Sequence, residues 1–304
     1  MDKKIKIVEV GPRDGFQNVA EFIPTKFKLE IIDEILASGV QKIQCTSFVN
    51  PAMIPQLSDA EEVAKTTCEK HPDKEIYALV PNFKGAQKAF YSGIKEVATV
   101  ISLSETHNKA NVQKTRAQSL EEIRRICHDL PDLKVIADIG TTFACPFEGE
   151  MKAEYLLELL YKLYTIGIRE FTLCDTIGMA YPKQVETFID TVKEVFPDCI
   201  FGLHIHDTRN MGILNTYIGI QKGIDSVQTS IGGLGGCPFA PGASGNTATE
   251  DLVYLLQKEG CLTNINFTKL LATAKKLHAK VKGNYSGHQI NIENCHIDKK
   301  MPCL

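Results

Sequence analysis

The octapeptide "ASGVQKIQ", residues 37–44, marks a place where one kind of structure stops and another starts. Upstream, "TKFKLEIIDEILASG" carries apolar residues at helical spacing and runs into a glycine, the residue that most easily ends a helix. Downstream comes a short β-branched run of strand type. The same junction returns in "YSGIKEVA" (91–98), "TIGIREFT" (165–172) and "QKGIDSVQ" (221–228). Each reads as a helix ending and the next parallel strand beginning.

Working outward from these junctions, strand-type runs fall at Ile5–Val10, Lys42–Thr46, Ile76–Val80, Glu96–Ser102, Lys134–Ile139, Glu170–Cys174, Ile200–His206 and Ser226–Ser230, with helical patterns between them. Eight strand-plus-helix units fit a (β/α)8 TIM barrel of class α/β better than an open doubly wound sheet, which has fewer strands and a nucleotide-binding glycine turn after the first. Residues 248–258 and 267–282 read as additional C-terminal helices, so one catalytic domain spans 1–282 and an irregular tail follows at 283–304.

A chain of 304 residues with 43% apolar composition can bury the core of one large barrel. Its net charge of −3 gives no basic surplus, which argues against nucleic acid as a partner. No window approaches the roughly 18 apolar residues of a membrane span, and the N-terminus enters a strand pattern with no signal peptide, so a cytoplasmic protein is expected. Ten cysteines without a CxxC pair read as reduced thiols.

In such barrels chemistry sits at the C-terminal ends of the strands. Unusual polar groups collect there: Glu9, Arg13 and Asp14 in "EVGPRDG", Gln44 in "QCTSF", Asp175 in "CDTIG", and His204, His206 and Asp207 in "LHIHD". The two histidines of "HIH" stand at i and i+2 on a strand and therefore share one face. With Asp14 and Asn246 from the first strand and beyond the eighth, they form a nitrogen and oxygen donor set without thiolate, suited to Mg²⁺ or Mn²⁺.

"VEVGPRDGFQN", "TSFVNP", "PNFKG", "SETHNKAN", "CPFEGE", "DTIGMAYP", "HIHDT" and "GGLGGCPFAPGASGNTATEDLVYLL" occur in this order over roughly residues 4–282 and together resemble the 3-hydroxy-3-methylglutaryl-CoA lyases, metal-dependent enzymes on (β/α)8 barrels. The resemblance implies retro-Claisen cleavage of an acyl-CoA substrate to acetyl-CoA and acetoacetate. It implies Asp14, His204, His206 and Asn246 as metal ligands, Arg13 beside the thioester oxygen, and Glu9 and Asp175 as acidic active-site groups. Cys237, in a glycine-rich loop fit to close over substrate, is implied as the proton donor. It also implies a homodimer. For the CoA phosphates, Lys84 in "PNFKG" and Lys109, Lys114 and Arg116 in the long loop after the fourth strand are candidates.

Several positions depart from the lyase pattern. Gln44 stands where glutamate is usual, Asp138 where tyrosine is, Gly140 where serine is, and Ala144 and Cys174 replace glycines. A carboxylate lost at 44 and one gained at 138 imply a changed charge layout around the acyl group, so Gln44 and Asp138 are substrate-binding candidates and an acyl group other than hydroxymethylglutaryl is one expectation. Two further readings are a Claisen-type synthase condensing acetyl-CoA with a 2-oxo acid, and a barrel that has lost activity and serves as a binding protein. The lyase-type cysteine loop and the intact metal set weigh against both.

Overall fold

The computed structural model describes residues 5–236, 245–261 and 263–292. Eight parallel strands close into a barrel: β1 (Lys6–Glu9), β2 (Lys42–Ser47), β3 (Glu75–Val80), β4 (Glu96–Ser102), β5 (Lys134–Gly140), β6 (Glu170–Asp175), β7 (Ile200–Ile205) and β8 (Ser226–Thr229). The seam that closes the ring is β1 against β8, with Lys6 opposite Ser226 and Glu9 opposite Thr229. All eight strands read from the sequence are present, their ends moved by one residue at most.

Around the barrel lie α1 (Thr25–Ala37), α2 (Ala60–Lys70), α3 (Phe83–Tyr91), α4 (Glu105–Val112), α5 (Arg116–Asp129), α6 (Ala153–Ile166), α7 (Pro182–Val195) and α8 (Gly212–Gln221). The four junction glycines turn the chain from helix to strand with φ of +108° at Gly39, +93° at Gly93, +110° at Gly167 and +76° at Gly223. Those values lie where a side chain clashes with its own backbone, which is why the same residue recurs at each junction.

One expectation needs correction. The segment after β4 is helical, forming α4 and α5, and not a long loop. The signals are polar caps: the Ser104 side chain accepts the His107 amide, and Thr115 and Gln118 form a reciprocal capping box. α4 buries few apolar residues, so periodicity could not reveal it.

The main core lies between strands and helices, where Ile31, Ile35, Ile43, Ile94, Phe171 and Phe201 are fully buried. A smaller cluster of Val8, Val10, Tyr77, Ala98 and Ile136 fills the barrel interior. At the N-terminal end of the interior, buried Lys42 pairs with Glu96 and Glu170, and Lys134 joins both carboxylates from outside. Apolar and ionic layers thus stop up the barrel from below, leaving its C-terminal mouth for chemistry.

After the barrel, α9 (Thr249–Lys258) and α10 (Phe267–Lys280) follow. Residues 285–289 return to the mouth: the Gly287 amide bonds to Gly232 O at 3.0 Å, and the His288 and Gln289 amides bond to Asp251 at 2.8 and 2.9 Å. Among the described residues, no helix is long and apolar enough to cross a membrane.

Candidate active site

Immediately after β1, the chain GPRDG makes a π-helical turn over Gly11–Gly15 in which Val10 O accepts the amides of Arg13 and Asp14, at 3.0 and 2.7 Å. This wide turn holds both side chains buried at the barrel mouth. From β7, His204 and His206 project to the same side, with ring centroids 5.0 Å apart. Asp14 Oδ2 lies 3.9 Å from His204 Nε2 and 3.7 Å from His206 Nε2.

Donor atoms of these three residues all fall within 4.8 Å of one another, close enough to share one ion. Asn246 adjoins them, donating through Nδ2 to Asp14 Oδ2 at 2.7 Å. Its Oδ1 is buried with no hydrogen-bond partner among the described residues. A buried carbonyl oxygen left unsatisfied is costly unless reserved for a ligand, and two imidazoles with oxygen donors suit a divalent cation. These residues fit the metal site expected from the sequence.

Electrostatics agree. Burial alone would raise the Asp14 carboxyl, but the charge of Arg13 and the contacts with both histidines hold it well below the usual carboxylate range. Burial, helped by the charges of His206 and Arg13, pushes His204 down to about 3. A neutral imidazole beside an ionised carboxylate is the protonation state a metal requires.

Arg13 is fixed at both ends of its guanidinium. Nε donates to Gln44 Oε1 on β2 and Nη1 to Asp14 Oδ1 at 2.5 Å. Gln44 is fully buried, and its Nε2 has no hydrogen-bond partner among the described residues. The neutral residue at this position therefore holds the arginine through its oxygen and keeps a second, unused donor buried beside it.

Glu9 and Asp175 are both tied to backbone. Glu9 Oε1 accepts the amides of Gly11 (2.7 Å) and Ile231 (2.9 Å), and Oε2 accepts the Thr249 hydroxyl at 2.6 Å. Asp175 accepts the amides of Met179 and Ala180 at 2.9 and 3.0 Å. Glu9 thereby fastens the turn after β1 to the loop after β8, while Asp175 shapes the loop after β6. In that glycine-rich loop after β8, a Cβ at residue 235 would lie 2.5 Å from Asn246 Nδ2, so only glycine lets the backbone pass so close to this donor.

The HMGL-like family model matches residues 4–277. The chain belongs to the HMGL-like family. The hydroxymethylglutaryl-CoA lyase YngG of Bacillus subtilis is 42% identical over 281 residues, covering 92% of this chain and 94% of that protein. The crystal structure of a B. subtilis HMG-CoA lyase superposes with a TM-score of 0.90 at 40% identity, covering 95% of this chain and 97% of that one. An HMG-CoA lyase of Acinetobacter baumannii, solved with coenzyme A and 3-methylmalate, gives a TM-score of 0.87 at 35% identity over 98% of this chain and 95% of that one.

Within this HMGL-like barrel the other expected residues are placed as follows. Asp138 on β5 is buried in the mouth, and burial raises its carboxyl against the opposing charge of Arg13. Lys84 is exposed on α3, and Lys109 is exposed on α4 beside Glu105 at 3.5 Å. Lys114 and Arg116 pair with Glu122 and Glu105 at 3.3 Å each. Cys237 lies outside the described residues.

Three buried polar residues near the site escaped the sequence reading: Gln228 on β8, Tyr77 on β3, and Glu250 on α9. Gln228 and Tyr77 are inward-facing polar groups on strands, a signal available from alternation alone. Glu250 follows Thr249 at the first turn of a helix, where acidic residues are ordinary and draw no attention. It is fully buried, with Oε2 accepting the Gly232 amide at 2.9 Å and Oε1 lacking a partner among the described residues.

Burial, with the Asp251 charge adding to it, pushes Glu250 up to about 8. Since this exceeds the ordinary 4.5, the folded protein binds the proton more tightly, so its stability declines as pH rises from about 4.5 to about 8. Glu9, raised by burial to about 7, acts with the same sign. Glu250→Gln is expected to reduce the stability difference between about pH 5 and about pH 9 by at least about 1 kcal/mol, leaving the Glu9 contribution. Urea midpoints of both proteins at the two pH values check this. Equal pH dependence would mean that Glu250 ionises freely in the fold.

Proposed function

We propose that this chain cleaves 3-hydroxy-3-methylglutaryl-CoA, or a closely related 3-hydroxyacyl-CoA, to acetyl-CoA and acetoacetate with the help of Mg²⁺ or Mn²⁺. The observation that carries the reading is the meeting of Asp14, His204 and His206 within 4.8 Å beside a doubly anchored Arg13. Relatives named as HMG-CoA lyases at 37–42% identity, and the A. baumannii lyase solved with coenzyme A, support the substrate class.

Cleavage breaks the bond between C2 and C3 of the acyl group. The 3-hydroxyl must lose its proton, C3 becomes the ketone of acetoacetate, and the bonding pair moves into an acetyl-CoA enolate that then takes up a proton at C2. Asp14, His204, His206 and Asn246 would hold a divalent ion, which would supply the Lewis acidity that makes the hydroxyl acidic at neutral pH. Arg13, held by Gln44 and Asp14, is placed to stabilise negative charge on the thioester oxygen as the enolate forms. Cys237 delivers the proton to C2. Glu9 keeps the loop leading towards Cys237 joined to the turn that carries Arg13 and Asp14, and Asp175 shapes the neighbouring rim. Asp138 and Gln44 face the acyl group, and Lys84 and Lys109 meet CoA phosphates at the rim.

Relatives named as hydroxymethylglutaryl-CoA lyases, those of B. subtilis and Bos taurus among them, favour neither a condensing synthase nor an inactive barrel. The reading extends to a homodimer in the cytoplasm, with light scattering of the purified protein as the check on the dimer.

The direct test is release of acetyl-CoA from hydroxymethylglutaryl-CoA by purified protein. Activity is expected with Mg²⁺ or Mn²⁺, to vanish in EDTA, and to fall by about two orders of magnitude or more in Cys237→Ala, the scale of losing a general acid. Absence of cleavage by protein that binds Mn²⁺ would direct attention to another 3-hydroxyacyl-CoA.

A further inference from the structure

Behind His204 runs a chain of buried side chains that ends at Asp138. His204 Nδ1 meets Gln228 Oε1 at 3.1 Å. Gln228 Nε2 continues to Asp138 Oδ1 at 3.3 Å and to Thr172 Oγ1 at 3.2 Å. All four residues are at least nine-tenths buried, on four successive strands from β5 to β8. His204 and Gln228 are register partners across β7 and β8, and Asp138 and Thr172 are register partners across β5 and β6. Between the two pairs, Gly202 on β7 contributes no side chain, and a Cβ there would lie 2.7 Å from Ser226 Oγ and 3.5 Å from Thr172 Oγ1.

Donor and acceptor logic gives this chain a direction. The Thr172 hydroxyl gives its proton to Asp138, so toward Gln228 its oxygen can only accept. Gln228 must therefore turn its NH2 toward Asp138 and Thr172, which leaves its carbonyl oxygen toward His204. A carbonyl accepts only, so the imidazole proton must sit on Nδ1. The lone pair is then on Nε2, the nitrogen that faces Asp14 Oδ2.

We propose that Asp138 is a positioning residue for the metal site, acting through the amide of Gln228 to fix His204 in the tautomer whose Nε2 can bind the ion. Partners that orient a ligating histidine from behind are commonly a carboxylate or a backbone carbonyl in direct contact. Here the carboxylate stands one residue further back, and a neutral amide carries its orientation forward. Asp138, which sequence comparison suggests as a contact for the acyl group, gains a second use: its charge is spent on the histidine before any substrate arrives.

The inference rests on reading Asp14, His204, His206 and Asn246 as a metal site, and the test separates the two ideas. Long-range proton–nitrogen NMR spectra of metal-free full-length protein with isotope-labelled histidine report which ring nitrogen of His204 is protonated, the signal being identified by its loss in His204→Gln. The wild type is expected to carry the proton on Nδ1; a proton on Nε2 overturns the proposal without any variant. In Asp138→Asn the amide can satisfy Gln228 in either orientation, so the two tautomers should approach parity and the Mn²⁺ dissociation constant, read by electron paramagnetic resonance, should rise about tenfold.

Adding Gln228→Glu to Asp138→Asn moves the carboxylate one step along: the amide at position 138 and the Thr172 hydroxyl now donate to residue 228, which still accepts the His204 Nδ1 proton. This double variant should restore both the Nδ1 tautomer and Mn²⁺ affinity to within about threefold of wild type. A merely space-filling Asp138 predicts no such restoration, and an unchanged tautomer in Asp138→Asn overturns the relay. Wild-type protein that fails to bind Mn²⁺ overturns the metal reading instead, with the tautomer spectra still deciding the relay.

Discussion

Arg13→Met should lower kcat for acetyl-CoA release by about a hundred- to a thousandfold, about 2.7–4 kcal/mol of transition-state stabilisation, with a much smaller change in KM. The reason is that the guanidinium is held before substrate binds, by Gln44 on one side and Asp14 on the other. No reorganisation is then required when charge develops on the thioester oxygen, and an interaction that strengthens only as charge develops acts on kcat. Arg13→Lys should recover little of the loss, because a single ammonium cannot keep a planar fork between Gln44 on β2 and Asp14 in the turn after β1. Arg13→Met also removes the charge that chiefly lowers Asp14, so its pH profile of Mn²⁺ binding should shift upward. Activity of Arg13→Met within tenfold of wild type would remove Arg13 from the reaction.

Asp14→Asn should weaken Mn²⁺ by more than about a hundredfold, beyond the range seen when only an outer partner of a ligand is lost. The carboxylate does three things at one point: its Oδ1 meets Arg13, its Oδ2 meets Asn246, and the same Oδ2 faces both imidazoles. An amide in its place brings either an NH2 group or a weaker neutral oxygen to the ion, and it leaves the Arg13 charge buried without its counter-ion. Uncompensated buried charge costs on the order of 3–5 kcal/mol, so the variant should also melt earlier without metal. Mn²⁺ titration followed by electron paramagnetic resonance, beside thermal melts of the metal-free proteins, reads both effects. Near-normal Mn²⁺ affinity in a folded Asp14→Asn protein would place the ion elsewhere.

Much of this arrangement is legible in the sequence, for definite reasons. Glycine at four of the helix-to-strand junctions is imposed by positive φ, so "ASGVQKIQ" and its three repeats announce the barrel. The "HIH" spacing is imposed by strand geometry, and a strand end rich in Arg13 and Asp14 points to the mouth by the same rule. What alternation cannot supply is partnership across the ring. Gln228 stands in the unremarkable run "SVQTS", and nothing near it in sequence hints at Asp138, ninety positions earlier in the chain. Glu250 looks like any acidic residue in a first helical turn until its burial is known. α4 escapes because side-chain caps, not an apolar stripe, define it.

The seam between β1 and β8 has one more implication. Asp14 lies just past one side of it and Asn246 just past the other, joined by a hydrogen bond between residues 232 positions apart. The cation cradle therefore spans the last gap in the ring and cannot exist in a partly assembled chain: a half-barrel fragment ending after β4 holds Asp14 and neither histidine. Ion affinity becomes a gauge of ring closure, and an ion that binds only the closed form adds RT ln(1 + [L]/Kd) to its stability. Any lesion that opens this seam, even one far from the donors, should surface first as a poorer grip on Mn²⁺.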